Sequence, residues 1–142
     1  MNFRASLWDP LKDDPVDFEE VKKEKIVEMF EEISWLELLS RLKDAKKDDI
    51  FSPIFEVTNE DNQHGLMICA IDGKEWYIYY SRPKLVKKFF GLIEKTELHT
   101  TDAYGQTEND VRNCLKALIK NDLRFLENKI NLPSDPRKWR GF

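Results

Sequence analysis

The sequence predicts an α+β domain: an antiparallel meander of three to four strands packed with N-terminal and C-terminal helices. Two observations carry this. The stretch GLMICAIDGKEWYIYYSR, residues 65–82, holds two apolar runs on either side of Asp72-Gly73. Asp-Gly between strand-rich segments marks a hairpin, because its tight turn needs φ > 0 at both central residues. On both sides of this hairpin the chain carries apolar residues at helical spacing with charged residues between them.

From the N-terminus, Met1 to Asp13 has no clear period; Phe3, Leu7, Trp8 and Leu11 read as an arm packed onto the domain. Asp14-Pro15 has the form of a helix start, cap then proline. Phe18, Val21, Ile26, Met29, Phe30 and Ile33 then make one apolar stripe. Ser34 with Glu37 fits a capping box for a second helix from Trp35 to about Ala45, with Leu36, Leu38, Leu39 and Leu42 on its buried side. Lys43 to Asp49 is a charged connection. Phe51 to Thr58 reads as a strand and Asn59 to His64 as a turn.

A two-residue loop at Asp72-Gly73 sets Cys69 opposite Trp76 and Met67 opposite Ile78, with Leu66, Ile68, Tyr77 and Tyr79 on the other face. Both faces are apolar, so either both are covered or one aromatic face is open to a partner; burial on both sides is the ordinary expectation. Tyrosine joins an apolar ring to a polar tip, which suits Tyr77, Tyr79 and Tyr80 to an edge or interface. Ser81 and Pro83 then open a short helix with Leu85, Val86, Phe89, Phe90 and Ile93 on one face, although Gly91 weakens it. Thr96 to Thr101 reads as a fourth strand and Asp102 to Gln106 as a loop. Thr107 and Asp110 cap a helix carrying Val111, Cys114, Leu115 and Leu118. Asn121-Asp122 breaks it and caps a last short helix with Leu123, Leu126 and Ile130. The expected organisation is one domain over residues 1–132 and a basic-aromatic tail over 133–142.

At 142 residues with 35% charged and 12% aromatic residues, the chain has the composition of a soluble globular domain. The net charge of −4 argues against general nucleic-acid binding. The first sixty residues hold 16 acidic and 9 basic side chains, whereas residues 107–142 are net positive. No apolar run approaches the ~18 residues of a membrane span. Met1 to Asp9 lacks the apolar core of a signal peptide, so a cytoplasmic protein with reduced, buried Cys69 and Cys114 is expected.

No catalytic, cofactor or metal set emerges. Two histidines and two cysteines without close spacing do not make a zinc site. Cys114, which His99 would have to serve, sits on an apolar helical face, His99-Thr100-Thr101 has no second copy at His64, and Asp72-Gly73-Lys74-Glu75-Trp76-Tyr77 has the acids of a restriction-type core but no lysine at the needed position. Glu56 and Glu75 are a carboxylate pair only if the fold brings them together. The tail Arg137-Lys138-Trp139-Arg140 is the one basic-aromatic segment.

In overall character, through SWLELLSRL, DGKEWYIYYSRPK and TTDAYGQTENDVRNCLKALIKNDLRFLE, the chain resembles the immunity proteins of bacterial polymorphic toxin systems. That resemblance implies a cytoplasmic protein that neutralises a cognate toxin domain, a nuclease or other cytoplasm-acting enzyme, by stoichiometric binding without turnover. Partner-binding candidates are Glu19, Glu20, Glu28, Glu31, Glu32, Glu56, Glu60 and Asp61, with Tyr77 and Tyr79 as aromatic anchors. The alternative is a small enzyme or ligand-binding domain whose pocket the sequence does not reveal.

Overall fold

The computed structural model describes residues 2–9, 12, 14–44, 52–72 and 74–133. Among them the elements run β1 (Phe3–Trp8), β2 (Val16–Val21), α1 (Ile26–Glu32), α2 (Trp35–Asp44), β3 (Ile54–Asn59), β4 (His64–Ala70), β5 (Trp76–Lys88), β6 (Ile93–Gln106), α3 (Glu108–Lys120), α4 (Leu123–Lys129) and β7 (Leu132–Pro133). The strands form one seven-stranded antiparallel sheet in the order β2-β1-β3-β4-β5-β6-β7. The class is α+β, as the sequence predicts, but the sheet is larger than three or four strands.

The extra strands come from both ends of the chain. Residues 3–8 alternate: Phe3 and Ala5 are buried, while Arg4 and Trp8 are exposed. This strand lies between β2 and β3, not as an arm on the surface. Val16 to Val21 is an edge strand, not the first turns of a helix. Its pairing with β1 is irregular between Phe3 and Ala5, and Glu20 takes a left-handed φ of 54°. That bulge lets Phe18 and Val21 mimic helical spacing while the backbone stays extended. The helix starts only at Ile26, after a short 3-10 turn at Lys23–Lys25. α2 occupies its expected span, but Leu36 points outward at 70% exposure.

The β4–β5 connection is longer than two residues. The Asp72 carboxylate accepts the backbone N–H groups of Lys74 and Glu75, both at 2.7 Å. A side chain that satisfies two turn donors stabilises a wider loop. Pairing therefore shifts by one: Cys69 opposes Tyr77 and Ile68 opposes Ile78. A one-residue slip moves every side chain to the other face. Trp76, Ile78 and Tyr80 join Leu66 and Ile68 on the helix-bearing face, packed against Ile26, Phe30, Trp35, Leu115, Leu118 and Leu126. Tyr77, Tyr79 and Cys69 form a second cluster with Ile54 and Met67. The hairpin is thus buried on both sides.

Tyr77, Tyr79 and Tyr80 are all buried, not placed at an edge. Their polar tips are served internally where a bond is seen: Tyr77 donates to Asp102 at 2.9 Å, and the Tyr80 hydroxyl lies 2.7 Å from His64 Nδ1. Asp102 to Gln106 is not a loop but the inner end of β6. α3 carries the expected capping box, with Thr107 and Asp110 each serving the other's backbone N–H. Asp122 caps α4 through the Phe125 N–H. Residues 134–142 of the expected tail and residues 45–49 of the charged connection lie outside the described residues.

Cys69 and Cys114 are free and buried, and burial pushes both thiols up to about 12. Only the thiolate reacts. Labelling of the native protein by a disulfide reagent at pH 8 should therefore be slow, and should become fast and complete for both cysteines in denaturant.

Candidate protein-binding surface

Residues 81–93, expected as a helix, are extended. β5 runs on to Lys88 and turns into β6, with Arg82 opposite His99, Lys84 opposite Glu97 and Lys88 opposite Ile93. Pro83 and Gly91 are poor helix residues. Pairing with residues 93–99 supplies the backbone hydrogen bonds that a helix would have made.

β4 pairs with β5 only as far as Ser81, and β7 touches β6 only at Thr101 and Asp102. Beyond these limits the two strands leave the sheet as a free ribbon of seven residue pairs. At ~3.3 Å per residue its reach is about 20 Å. Leu85, Phe89, Phe90, Leu92, Ile93 and Leu98, all exposed, lie on it or at its tip.

The tip is Phe89-Phe90-Gly91-Leu92. Phe89, Phe90 and Gly91 all have left-handed φ, at 55°, 56° and 86°. Glycine tolerates this, whereas each phenylalanine pays roughly 1–2 kcal/mol. The side chains stand in water: Phe89 is 69% exposed, Phe90 109% and Leu92 85%. Along the sides, Lys88 meets Glu97 at 2.6 Å and Lys87 meets Glu94 at 4.0 Å. Such exposed pairs add little stability each, but the directly opposed Lys87 and Glu94 favour this hairpin register.

The root of the ribbon is built more firmly. The Arg82 side chain, 4% exposed, grips Glu127 of α4 with both prongs, Nε to Oε1 at 3.0 Å and Nη2 to Oε2 at 2.7 Å. Its Nη1 donates to Thr101 Oγ1 at 2.7 Å and to the Tyr80 carbonyl at 3.2 Å. The guanidinium also stacks 4.1 Å over the Tyr80 ring. Two-pronged Arg–carboxylate pairs fix geometry as well as charge. The ribbon therefore leaves the sheet from a fixed point.

Burial, and then the Arg82 charge, hold His64 below its ordinary 6.5. A proton binds this group more readily in the unfolded chain. Its contribution to stability is therefore full above about pH 6.5 and declines as pH falls from there toward its folded value. His99 shifts the same way, through burial, Arg82 and Lys84. The urea midpoint should fall on acidification below pH 6.5, and His64→Gln should flatten that fall without removing it.

The acidic candidates do not form one patch. Glu19 and Glu56 share a polar depression of about 240 Å³ with Arg4, Ser6 and Asp17. There burial pushes the Glu56 carboxyl up, against the opposing pull of Arg4. Glu20 sits at the β2 bulge and Glu60 and Asp61 in the β3–β4 turn. Glu28, Glu31 and Glu32 ride on α1, with Glu28 paired to Lys25 and Glu31 to Arg112. Tyr77 and Tyr79 are interior. No group of three or more His, Cys, Asp or Glu poised to hold a metal occurs among the described residues. No helix among them is long and apolar enough to cross a membrane.

The ribbon was not foreseen as a site because Leu85, Val86, Phe89, Phe90 and Ile93 also fit a helical stripe. The signal that could have found it is the complementarity of Lys84, Lys87 and Lys88 with Glu94 and Glu97 about Gly91. No family model matches this chain, and no curated protein or solved structure is significantly similar to it.

Proposed function

We propose that this chain is a stoichiometric protein-binding module that uses the β5–β6 ribbon as its binding arm. The observation that carries this is the rigidly rooted ribbon ending in Phe89, Phe90 and Leu92, all open to water. Large aromatic side chains supply most of the binding energy at protein interfaces, and those ordered beforehand lose little freedom on docking. The resemblance to immunity proteins gives the partner class: a cognate toxin domain, a nuclease or other enzyme, whose cleft the arm enters. Glu19, Glu20, Glu28, Glu31, Glu32, Glu56, Glu60 and Asp61 give the body an acidic field that steers a basic partner.

The decisive test compares the wild-type chain with the Phe89→Asn/Phe90→Asn variant as baits in the native cell. One protein should be retained by the wild type, lost by the variant, and form a 1:1 complex when both are purified. Equal retention by both baits would remove the arm from the reading. Association with that partner should slow as salt rises, since surface attraction is screened over ~10 Å at 0.1 M. Charge reversal at Glu28 and Glu32 should slow it further without unfolding the domain.

A second reading, a small ligand-binding domain, draws support from a cavity of about 410 Å³ between β1, β2 and α1–α2. Its lining includes Leu7, Val16, Phe18, Met29 and Ile33, with the Asp9–Arg41 pair at its edge. A thermal shift with apolar small molecules that Phe18→Asp abolishes would favour it.

A further inference from the structure

The cavity of about 410 Å³ between β1, β2 and α1–α2 joins an apolar wall to an acidic lining. Val16 and Phe18 stand in that wall 43% and 40% exposed. Its charged residues are Asp9, Asp14, Glu32 and Glu37 against Lys12 and Arg41, a net of −2 among the described residues. Arg41 is held by Asp9 at 3.6 Å. Asp14, Glu32 and Glu37 are exposed and make no ion pair among the described residues.

The β5–β6 ribbon carries the opposite pattern. Residues 83–99 hold Lys84, Lys87, Lys88 and Lys95 against Glu94 and Glu97, a net of +2. The Lys88–Glu97 and Lys87–Glu94 pairs leave Lys84 and Lys95 exposed and without an ion pair among the described residues. These two share a ribbon face, since Lys84 and Val86 are two apart on β5 and Lys95 opposes Val86. Ahead of them Phe89, Phe90 and Leu92 stand in water. One chain thus bears an apolar plug followed by unpaired lysines and an apolar socket edged by unpaired carboxylates.

We infer that the ribbon of one copy seats in this cavity of a second copy. Phe90 enters the apolar wall, and Lys84 and Lys95 come to face Asp14 and Glu37. A cavity of this volume is in the range that covers most of an entering group's surface. Two such contacts about a twofold axis close a pair, each ribbon in the other copy, whereas a one-way contact would run on as a chain. This goes beyond the binding reading above. The same arm serves both contacts, so a paired copy is closed to any other partner and only the separated copy is competent.

Sedimentation equilibrium of the purified chain from about 1 μM to 1 mM should show monomer passing to dimer and no larger species. Phe90→Asn should weaken the pair by about tenfold or more. Two charge-reversed variants, altered only at exposed side chains, make the specific test: Lys84→Glu/Lys95→Glu in the ribbon and Asp14→Lys/Glu37→Lys in the cavity. Each alone should stay monomeric and keep a cooperative thermal transition. Mixed in equal amounts they should pair again, because each reversed group then meets its opposite in the other chain. A wild-type chain that is monomeric throughout, a dimer indifferent to Phe90→Asn, growth beyond a dimer, or variants that stay apart on mixing would overturn the proposal. The bait comparison reads retention of a different protein, so failure of the pair and failure of the partner reading show separately.

Discussion

Replacing Trp76 with alanine should destabilise the domain by about 3–5 kcal/mol, the range for truncating a large aromatic side chain in a packed core. Trp76 joins the sheet to the first two helices. Its ring lies 5.0 Å from Trp35, edge to face at 90°, and 5.2 Å from Phe30. Phe30 in turn reaches Phe55 of β3 at 6.5 Å. Removing the indole opens a cavity under α1 and α2 that three large rings cannot collapse to fill. Domains of this size have only some 5–15 kcal/mol in hand, so the urea midpoint should drop by about a fifth or more at nearly constant slope. Trp76→Phe keeps most of the apolar contact and also removes a buried N–H that meets no acceptor among the described residues, so its cost should be far smaller. An unchanged midpoint for the alanine variant would mean that the packing of this face is misplaced.

The Phe89→Asn/Phe90→Asn variant should do the opposite: leave stability nearly untouched and weaken binding severely. Both rings stand in water, and surface substitutions away from packed groups usually change stability by ~0.5 kcal/mol or less. Asparagine also suits the left-handed φ of both positions better than phenylalanine does. At an interface, however, truncating one aromatic anchor costs about 2 kcal/mol or more, and affinity falls tenfold for every ~1.4 kcal/mol. Loss of both should weaken the complex at least a hundredfold, chiefly through faster dissociation. Isothermal titration of wild type and variant against the purified partner measures this. Equal affinity would assign the contact to another surface.

How much of this was legible in the sequence follows from which forces act locally. The α3 cap is written in Thr107 and Asp110, the α4 cap in Asp122, and the β4–β5 hairpin in Asp72-Gly73 with its apolar flanks. These are short-range signals, and the structure keeps them. The register slipped because the Asp72 side chain, and not only the Asp-Gly backbone, sets the turn. β1 and β2 were missed because Asp14-Pro15 is a sound helix start and Phe18 and Val21 fit a helical stripe. Strand pairing between residues 3–8 and 16–21, which no local window contains, decides otherwise. The ribbon was lost for the same reason, and with it the surface on which the functional reading now rests. The acidic residues were readable as charge but not as a patch, since the fold spreads them over α1, an edge strand and a turn. Tyr77 and Tyr79 looked like anchors until the one-residue shift carried them into the second cluster.

The central claim is that this chain acts by occupying its partner rather than by turnover. The most direct measurement is a titration of the partner enzyme's activity against added chain, at a partner concentration well above the dissociation constant. The account predicts a straight decline that reaches zero at one equivalent and stays there. Loss of activity at a small fraction of an equivalent, growing with incubation time, would contradict it.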